Sequence, residues 1–419
     1  LKIFLTAYGG GHITSVIPVF KTLVQRGHTC TLMALTTAGE VARREGLPHL
    51  RPIDCLDEDD ATIQQPGSCL AERHHTDGKG ISRAESIAYL GVSFRDLARD
   101  LGVEQAWRRY KEQGLNAFTP VHFMRDVLKM IQPDVVVATT SPRMEKAALR
   151  AAFQLNIPSL CMVELFGIQE EPWLSRPDNG HVLTVSRPDV ARRLVAAGRQ
   201  TGDIHCIGSP MFDYLADPQL REAGHRWRQH RCVRSDEKLL FWAEQPEPAD
   251  PELPRRVRHH LAAISRARGW RLVVRLHPSS TDASKESIPA MVLQSHSDEP
   301  LAEVVSACDA GITLTSTVGW ELLLADKPLL VLRLSPNQSA VTYGEDDGAL
   351  TIDRLEEAEE ALAALLTETS QAHQLARLRR QLPRPGGAAQ RICDLIEQVV
   401  EPRHYSLELN RHCPGGPIS

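Results

Sequence analysis

Short apolar runs alternate with amphipathic stretches along most of this chain, and that alternation leaves few folds open. "KIFLTA" (2–7) precedes a helical pattern through Arg26, and "TCTLMAL" (29–35) precedes "AGEVARREG" (38–46). "PDVVVATT" (133–140), "PSLCMVEL" (158–165), "HVLTVS" (181–186) and "DIHCIGSP" (203–210) continue the series, with helical stretches at 145–156 and 188–198. Apolar strands separated by such helices mark βαβ units, whose parallel strands are buried on both faces.

The pattern restarts after a polar joint, "DPQLREAGHRWRQHRCVRSDE" (217–237), with "EKLLFWAE" (237–244), "WRLVVRLHP" (270–278), "DAGITLTST" (309–317) and "PLLVLRL" (328–334). A chain of 419 residues exceeds what one core holds. These observations predict an α/β protein of two Rossmann-like, doubly wound parallel-sheet domains facing each other across a cleft. The expected divisions are a first domain at 1–215, a linker at 216–236, a second domain at 237–400 and a loosely ordered tail at 401–419. In such folds ligands bind at the carboxyl ends of the strands. Residues 54–120 break the rhythm. The polar run 54–80 has no clear period and reads as an irregular excursion over the cleft mouth, followed by helices at 83–101 and 103–113.

Bulk properties exclude several classes. A net charge of −5 forces no basic surface, so nucleic acid is not expected as a partner. Nine cysteines, odd in number and without a CxxC pair, argue against a disulfide framework and a zinc site; a reducing, cytoplasmic setting is expected. No apolar run reaches the roughly 18 residues of a membrane helix. The basic stretch 254–271 would allow peripheral membrane contact, but a basic helix is ordinarily a solvated face.

Gly9–Gly11 follow the first strand directly and His12 comes next. Glycines there let the backbone turn tightly and approach a ligand, and the helix that follows points free N–H groups at it. Gly10 and Gly11 are therefore candidate ligand contacts, suited to an anionic or sugar-bearing molecule. The spacing is neither GxGxxG nor a Walker motif. Behind the glycines, His12 could cap the turn or hydrogen-bond a phosphate.

The glycine turn, His12, Pro18 and Arg26-Gly27-His28 together resemble the amino-terminal signature of the GT-B glycosyltransferases, which use nucleotide-sugar donors. The resemblance implies a GT-B fold, the role of base on the acceptor hydroxyl for His12, and donor contacts for Gly10 and Gly11. In the second half, "RLHP" (275–278) ends a strand with His277, and "TSTVGWELLLADKP" (315–328) resembles the donor site of capsule-polysaccharide and related transferases. That resemblance implies phosphate contacts for His277, Ser316 and Thr317, and a ribose contact for Glu321. By itself His277 is equally an exposed turn histidine. "SPNQSAVTYGEDDGALTI" (335–352) is similar to a segment whose polar pair contacts the donor sugar, which implies that role for Asn337 and Gln338; alone, the pair reads as a polar loop. "IGSPMFDYL" (207–215) resembles the segment that closes the first domain in this group.

A metal-independent glycosyltransferase of polysaccharide or glycoconjugate biosynthesis is the expectation. The nucleotide sugar is then a co-substrate, no further cofactor or metal is called for, and the acceptor is open. The alternatives are a UDP-N-acetylglucosamine 2-epimerase or nucleotide-sugar hydrolase, using carboxylates such as Glu164, Glu170 or Glu171, and a non-catalytic sugar-nucleotide-binding subunit. The epimerases carry Ser-Gly-Gly where this chain has Ser316, Thr317 and Val318, which leaves less room for backbone approach.

Overall fold

The computed structural model describes residues 1–57, 60–76, 80–163, 166–277, 288–336 and 343–400. Its architecture is two six-stranded, wholly parallel sheets flanked by helices. The first comprises β1 (Lys2–Tyr8), β2 (Thr29–Leu35), β3 (Val135–Ala138), β4 (Ser159–Met162), β5 (Val182–Val185) and β6 (Ile204–Cys206), in the order β2-β1-β3-β4-β5-β6. The second comprises β7 (Leu239–Glu244), β8 (Arg271–Leu276), β9 (Leu293–Ser295), β10 (Ala310–Thr313), β11 (Leu329–Leu332) and β12 (Leu350–Ile352), in the order β12-β11-β10-β7-β8-β9. The second order is the doubly wound Rossmann arrangement. Strands β3, β4, β5 and β7 are buried at every residue, which is why they read as unbroken apolar runs.

Each sheet has one point where the chain switches direction of winding. In the first it lies between β1 and β3, which pair as Ile3↔Val135 through Thr6↔Ala138. In the second it lies between β7 and β10, paired as Ala310↔Leu240 through Thr313↔Ala243. The loops leaving these four strands open crevices at their carboxyl ends, where ligands of α/β sheets bind.

The 54–80 stretch departs from the expected irregular excursion: residues Ala61–His74 form a helix. Asp60 caps it by accepting from Thr62 N at 2.9 Å. Pro66 and Gly67 hide the helical pattern from a reader of the sequence, but each has a place. Pro66 lies inside the helix, past its first turn, and costs it one backbone donor. Gly67 lies against the next helix, Arg83–Leu101, where a Cβ would come 2.3 Å from Ile87 O; Gly91 of that helix meets Ile63 O at the same 2.3 Å. The two glycines let the backbones cross closely. With the helix Val103–Gln113 this pair covers one face of the first sheet, burying Ile63, Leu70, Phe94, Tyr110 and Phe118. The helices at 83–101 and 103–113 have the expected bounds.

The closing helix, Ala388–Val400, follows the second sheet in sequence but packs on the first. Ile392, Cys393 and Ile396 share a buried cluster with Val16, Val19 and Leu23 of the helix Gly9–Gln25. Arg26 pairs with Asp394 at 2.7 Å and with Glu397 at 3.1 Å, and His28 meets Glu397 at 2.7 Å. Asp213, from the turn Pro210–Ala216, accepts from Gly386 N, Ala388 N and Ala389 N at 2.9–3.0 Å, so the first half caps this helix. The halves also meet through Arg187, which bonds Asp189 at 2.7 Å beside β5 and Asp347 at 3.0 Å beyond β11, with its guanidinium 4.5 Å from the Trp320 ring.

Candidate active site

The first crevice is built by the loops after β1 and β3. Gly9 takes φ +76°, which only glycine adopts without strain, so the chain turns straight from strand into helix. His12 then falls in the first turn of that helix, 28% exposed. Its Nδ1 lies 2.6 Å from Thr139 Oγ1, just past β3, and Thr139 in turn donates to Glu145 Oε2 at 2.6 Å. Glu145 is fully buried in the helix Met144–Gln154. It also accepts from Ser141 N at 2.6 Å and from Tyr8 N.

The direction of these bonds fixes the imidazole. Thr139 has one hydroxyl proton, and it goes to Glu145. Its oxygen can then only accept from His12, so Nδ1 carries the proton and Nε2 the lone pair. Burial pushes the Glu145 carboxyl above the usual range, while His12, the Thr139 hydroxyl and the amides of Ser141 and Tyr8 pull it back. Nδ1 and Glu145 Oε2 are 3.8 Å apart. Burial raises the Glu170 carboxyl, while its own backbone amide and the His12 charge draw it down.

Gly10 and Gly11 differ. The Gly10 N–H is taken by Thr37 Oγ1 at 3.1 Å, whereas a Cβ on Gly11 would meet nothing within 4 Å. Gly11 thus has room for a ligand, and Gly10 serves the turn.

The second crevice is bridged from loop to loop. Gln245, after β7, donates its amide to Thr315 Oγ1, after β10. Ser316 lies at the entrance to the helix Val318–Leu324, where its hydroxyl accepts from Val318 N at 3.3 Å. Thr317 is the capping residue by position, without a side-chain capping bond. Gly319 admits Tyr343, whose hydroxyl donates to Ser316 O and would lie 2.6 Å from a Cβ at 319. Glu321 is 8% exposed and accepts from the Tyr214 hydroxyl. Burial lifts its carboxyl to about 7, against the pull of Tyr214 and of Arg275. Arg275, near the end of β8, is anchored by Ser295 Oγ at 3.1 Å and Glu299 O at 2.9 Å. His277 is exposed just beyond β8. Asn337, Gln338 and Glu164 lie outside the described residues. Behind the loop, Glu244 forms a buried ion pair with Arg258 at 3.0 Å and accepts from Trp242 Nε1 at 2.9 Å, a structural use of that carboxylate.

The structure therefore sets His12 at the first switch point, and Ser316, Thr317 and Glu321 at the entrance to one helix in the second half. It adds Thr139, Glu145, Tyr214 and Arg275, which sequence reasoning passed over. Thr139 and Glu145 lie in the "TTSPRMEK" run (139–146), which leaves the strand that the fold sets beside β1, an adjacency no local pattern encodes.

No family model matches the chain, and no curated protein does. Solved structures are similar along almost its whole length. UDP-GlcNAc 2-epimerase from Neisseria meningitidis, solved with UDP-GlcNAc, matches at TM-score 0.59 and 12% identity, over 95% of this chain and 100% of that one. MurG from Acinetobacter baumannii matches at TM-score 0.57 and 13% identity, over 95% and 99%. The glycotransferase of kitacinnamycin matches at TM-score 0.56 and 15% identity, over 95% and 98%. Identities this low speak for the fold alone. The two parallel sheets and these likenesses together give the chain the GT-B fold found in nucleotide-sugar enzymes.

Proposed function

We propose that this protein is a glycosyltransferase that moves a sugar from a nucleotide-sugar donor to an acceptor hydroxyl, with His12 as the base. The observation that carries the reading is the His12–Thr139–Glu145 chain at the first switch point. It selects the tautomer with its lone pair on Nε2 and places a buried carboxylate behind the ring. As the acceptor oxygen attacks the sugar, its proton passes to Nε2 and Glu145 favours the imidazolium that forms. Base-assisted attack of this kind inverts the anomeric centre. In the second half, Ser316 and Thr317 would stabilise the departing phosphate and Glu321 would accept from ribose hydroxyls, exchanging its bond to Tyr214. The likeness to MurG and to the kitacinnamycin glycotransferase supports this assignment.

A second reading is favoured by one observation: the Glu145 carboxyl lies 3.8 Å from His12 Nδ1, and proton movement at a sugar carbon needs such acid and base groups. This is the UDP-N-acetylglucosamine 2-epimerase reading, which the likeness to the Neisseria enzyme also supports. Incubating the purified protein with UDP-, CMP-, GDP- and dTDP-sugars separates the two. Slow release of one nucleotide, abolished in Glu321→Ala, is the transferase outcome. Fast conversion of a UDP-sugar to an epimer or free sugar is the epimerase outcome. For the transferase, His12→Ala keeps donor binding and loses transfer; retained transfer would remove the base assignment.

A further inference from the structure

Arg143, half-buried, differs in its partners from the four buried arginines among the described residues. Arg187, Arg199, Arg258 and Arg379 each face a carboxylate, namely Asp189 and Asp347, Asp203, Glu244 and Asp326. Among the described residues none pairs with Arg143. Its Nη2 donates to the Tyr8 hydroxyl at 2.5 Å, its guanidinium carbon lies 4.7 Å from the centre of the Tyr8 ring, and its Nε is buried with no partner. Partly enclosed charges are ordinarily met by an opposite charge.

The Tyr89 hydroxyl, whose ring is 6.2 Å from that of Tyr8, also faces the guanidinium. Two more polar atoms, the hydroxyls of Thr140 and Ser141 on the loop leading from β3 to Arg143, are buried without a hydrogen bond among the described residues. Groups of this kind rarely go unsatisfied in a protein at work. Tyr8 immediately precedes the glycine turn, and its amide is held by Glu145, the carboxylate behind His12. The unpaired guanidinium and the base are therefore tied to one frame.

We propose that Arg143 binds an anionic group of the acceptor, a carboxylate or a phosphate, and so presents a neighbouring hydroxyl to His12. This rests on the transferase reading in one respect only, that the molecule beside His12 is the acceptor. The guanidinium fork suits both anions, because it offers two parallel N–H donors in a fixed plane. The anion belongs to the acceptor and not to the donor because Arg143 lies in the first half, whereas Ser316, Thr317 and Glu321 lie in the second. The Tyr8 ring under the guanidinium holds it in place before any ligand arrives.

The test is calorimetric titration of the full chain, without donor, using glucuronate, glucose 6-phosphate and methyl glucoside as probes. One or both anionic probes bind more tightly than the neutral glucoside, and their order says whether the site prefers carboxylate or phosphate. Arg143→Ala weakens the anionic probes by roughly tenfold or more, leaves the glucoside unchanged, and leaves nucleotide-sugar binding unchanged. Arg143→Lys, which keeps the charge without the fork, falls between; should the alanine variant not fold, this one carries the test. Equal binding of all three probes, or anion binding indifferent to Arg143, overturns the proposal. So does loss of nucleotide-sugar binding in Arg143→Ala, which would put the guanidinium on the donor phosphates. No step requires turnover, so failure of His12 as base would leave these outcomes readable.

Discussion

Thr139 Oγ1 lies 2.6 Å from both His12 Nδ1 and Glu145 Oε2. The hydroxyl relays a carboxylate to an imidazole that it does not touch, and it does so across the β1–β3 switch point. Replacing it by valine keeps the shape of the side chain and removes the relay. Thr139→Val is expected to lower kcat by roughly a hundredfold with KM for the donor unchanged, since the base loses its tautomer and orientation and not its substrate. Thr139→Ser restores most of the rate. A valine variant with wild-type kcat would show that the relay has no part in the chemistry.

Glu321 yields a prediction about pH. Its folded carboxyl titrates at about 7, above its ordinary 4.5. Between those values the folded chain holds a proton that the unfolded chain has released, so stability falls as pH rises through that window. Each pH unit within it costs about 1.4 kcal/mol at most. Glu321→Gln, which still accepts from Tyr214, is therefore expected to raise Tm at pH 8 and to change it little at pH 4. An equal effect at both values would contradict a raised carboxyl.

The glycines divide by what surrounds them. Gly67→Ala and Gly91→Ala each drive a Cβ to 2.3 Å from a carbonyl oxygen of the opposing helix, which is buried backbone that must move. Each is expected to cost about 2–3 kcal/mol in urea unfolding. Gly11→Ala meets open space, and in a helix alanine gains up to about 1 kcal/mol over glycine. A Gly11→Ala chain that is as stable as the native one but binds nucleotide sugar less well would identify Gly11 as the point of close approach.

Much of the scaffold was legible because parallel strands with two buried faces leave unbroken apolar runs, as β3, β4, β5, β7 and β11 do. The three-residue edge strands β6, β9 and β12 are too short for such a signal, and β6 was found only by its place in the rhythm. The helix Ala61–His74 was hidden by Pro66 and Gly67, the residues that place and pack it. His12 could be found because a glycine turn after a strand is a local pattern. Glu145 could not, since in the sequence it is one more acidic residue in a first helical turn; only the packing of Tyr8 and β3 over it makes it a buried partner. Tyr214 reaches Glu321 across 107 positions, a relationship no local pattern encodes.

The return of the closing helix to the first sheet has a consequence for dissection. The first half is not a contiguous piece of chain: a cut in the 216–236 joint would strip Ile392, Cys393 and Ile396 from the first sheet and expose the apolar faces of Val16, Val19 and Leu23. The polypeptide passes between the halves twice, near Asp213 and near Gly386, and those residues are bonded to each other. A chimaera that grafts a new donor half must therefore be an insertion, spliced between these neighbouring crossings with residues 386–400 left on the host.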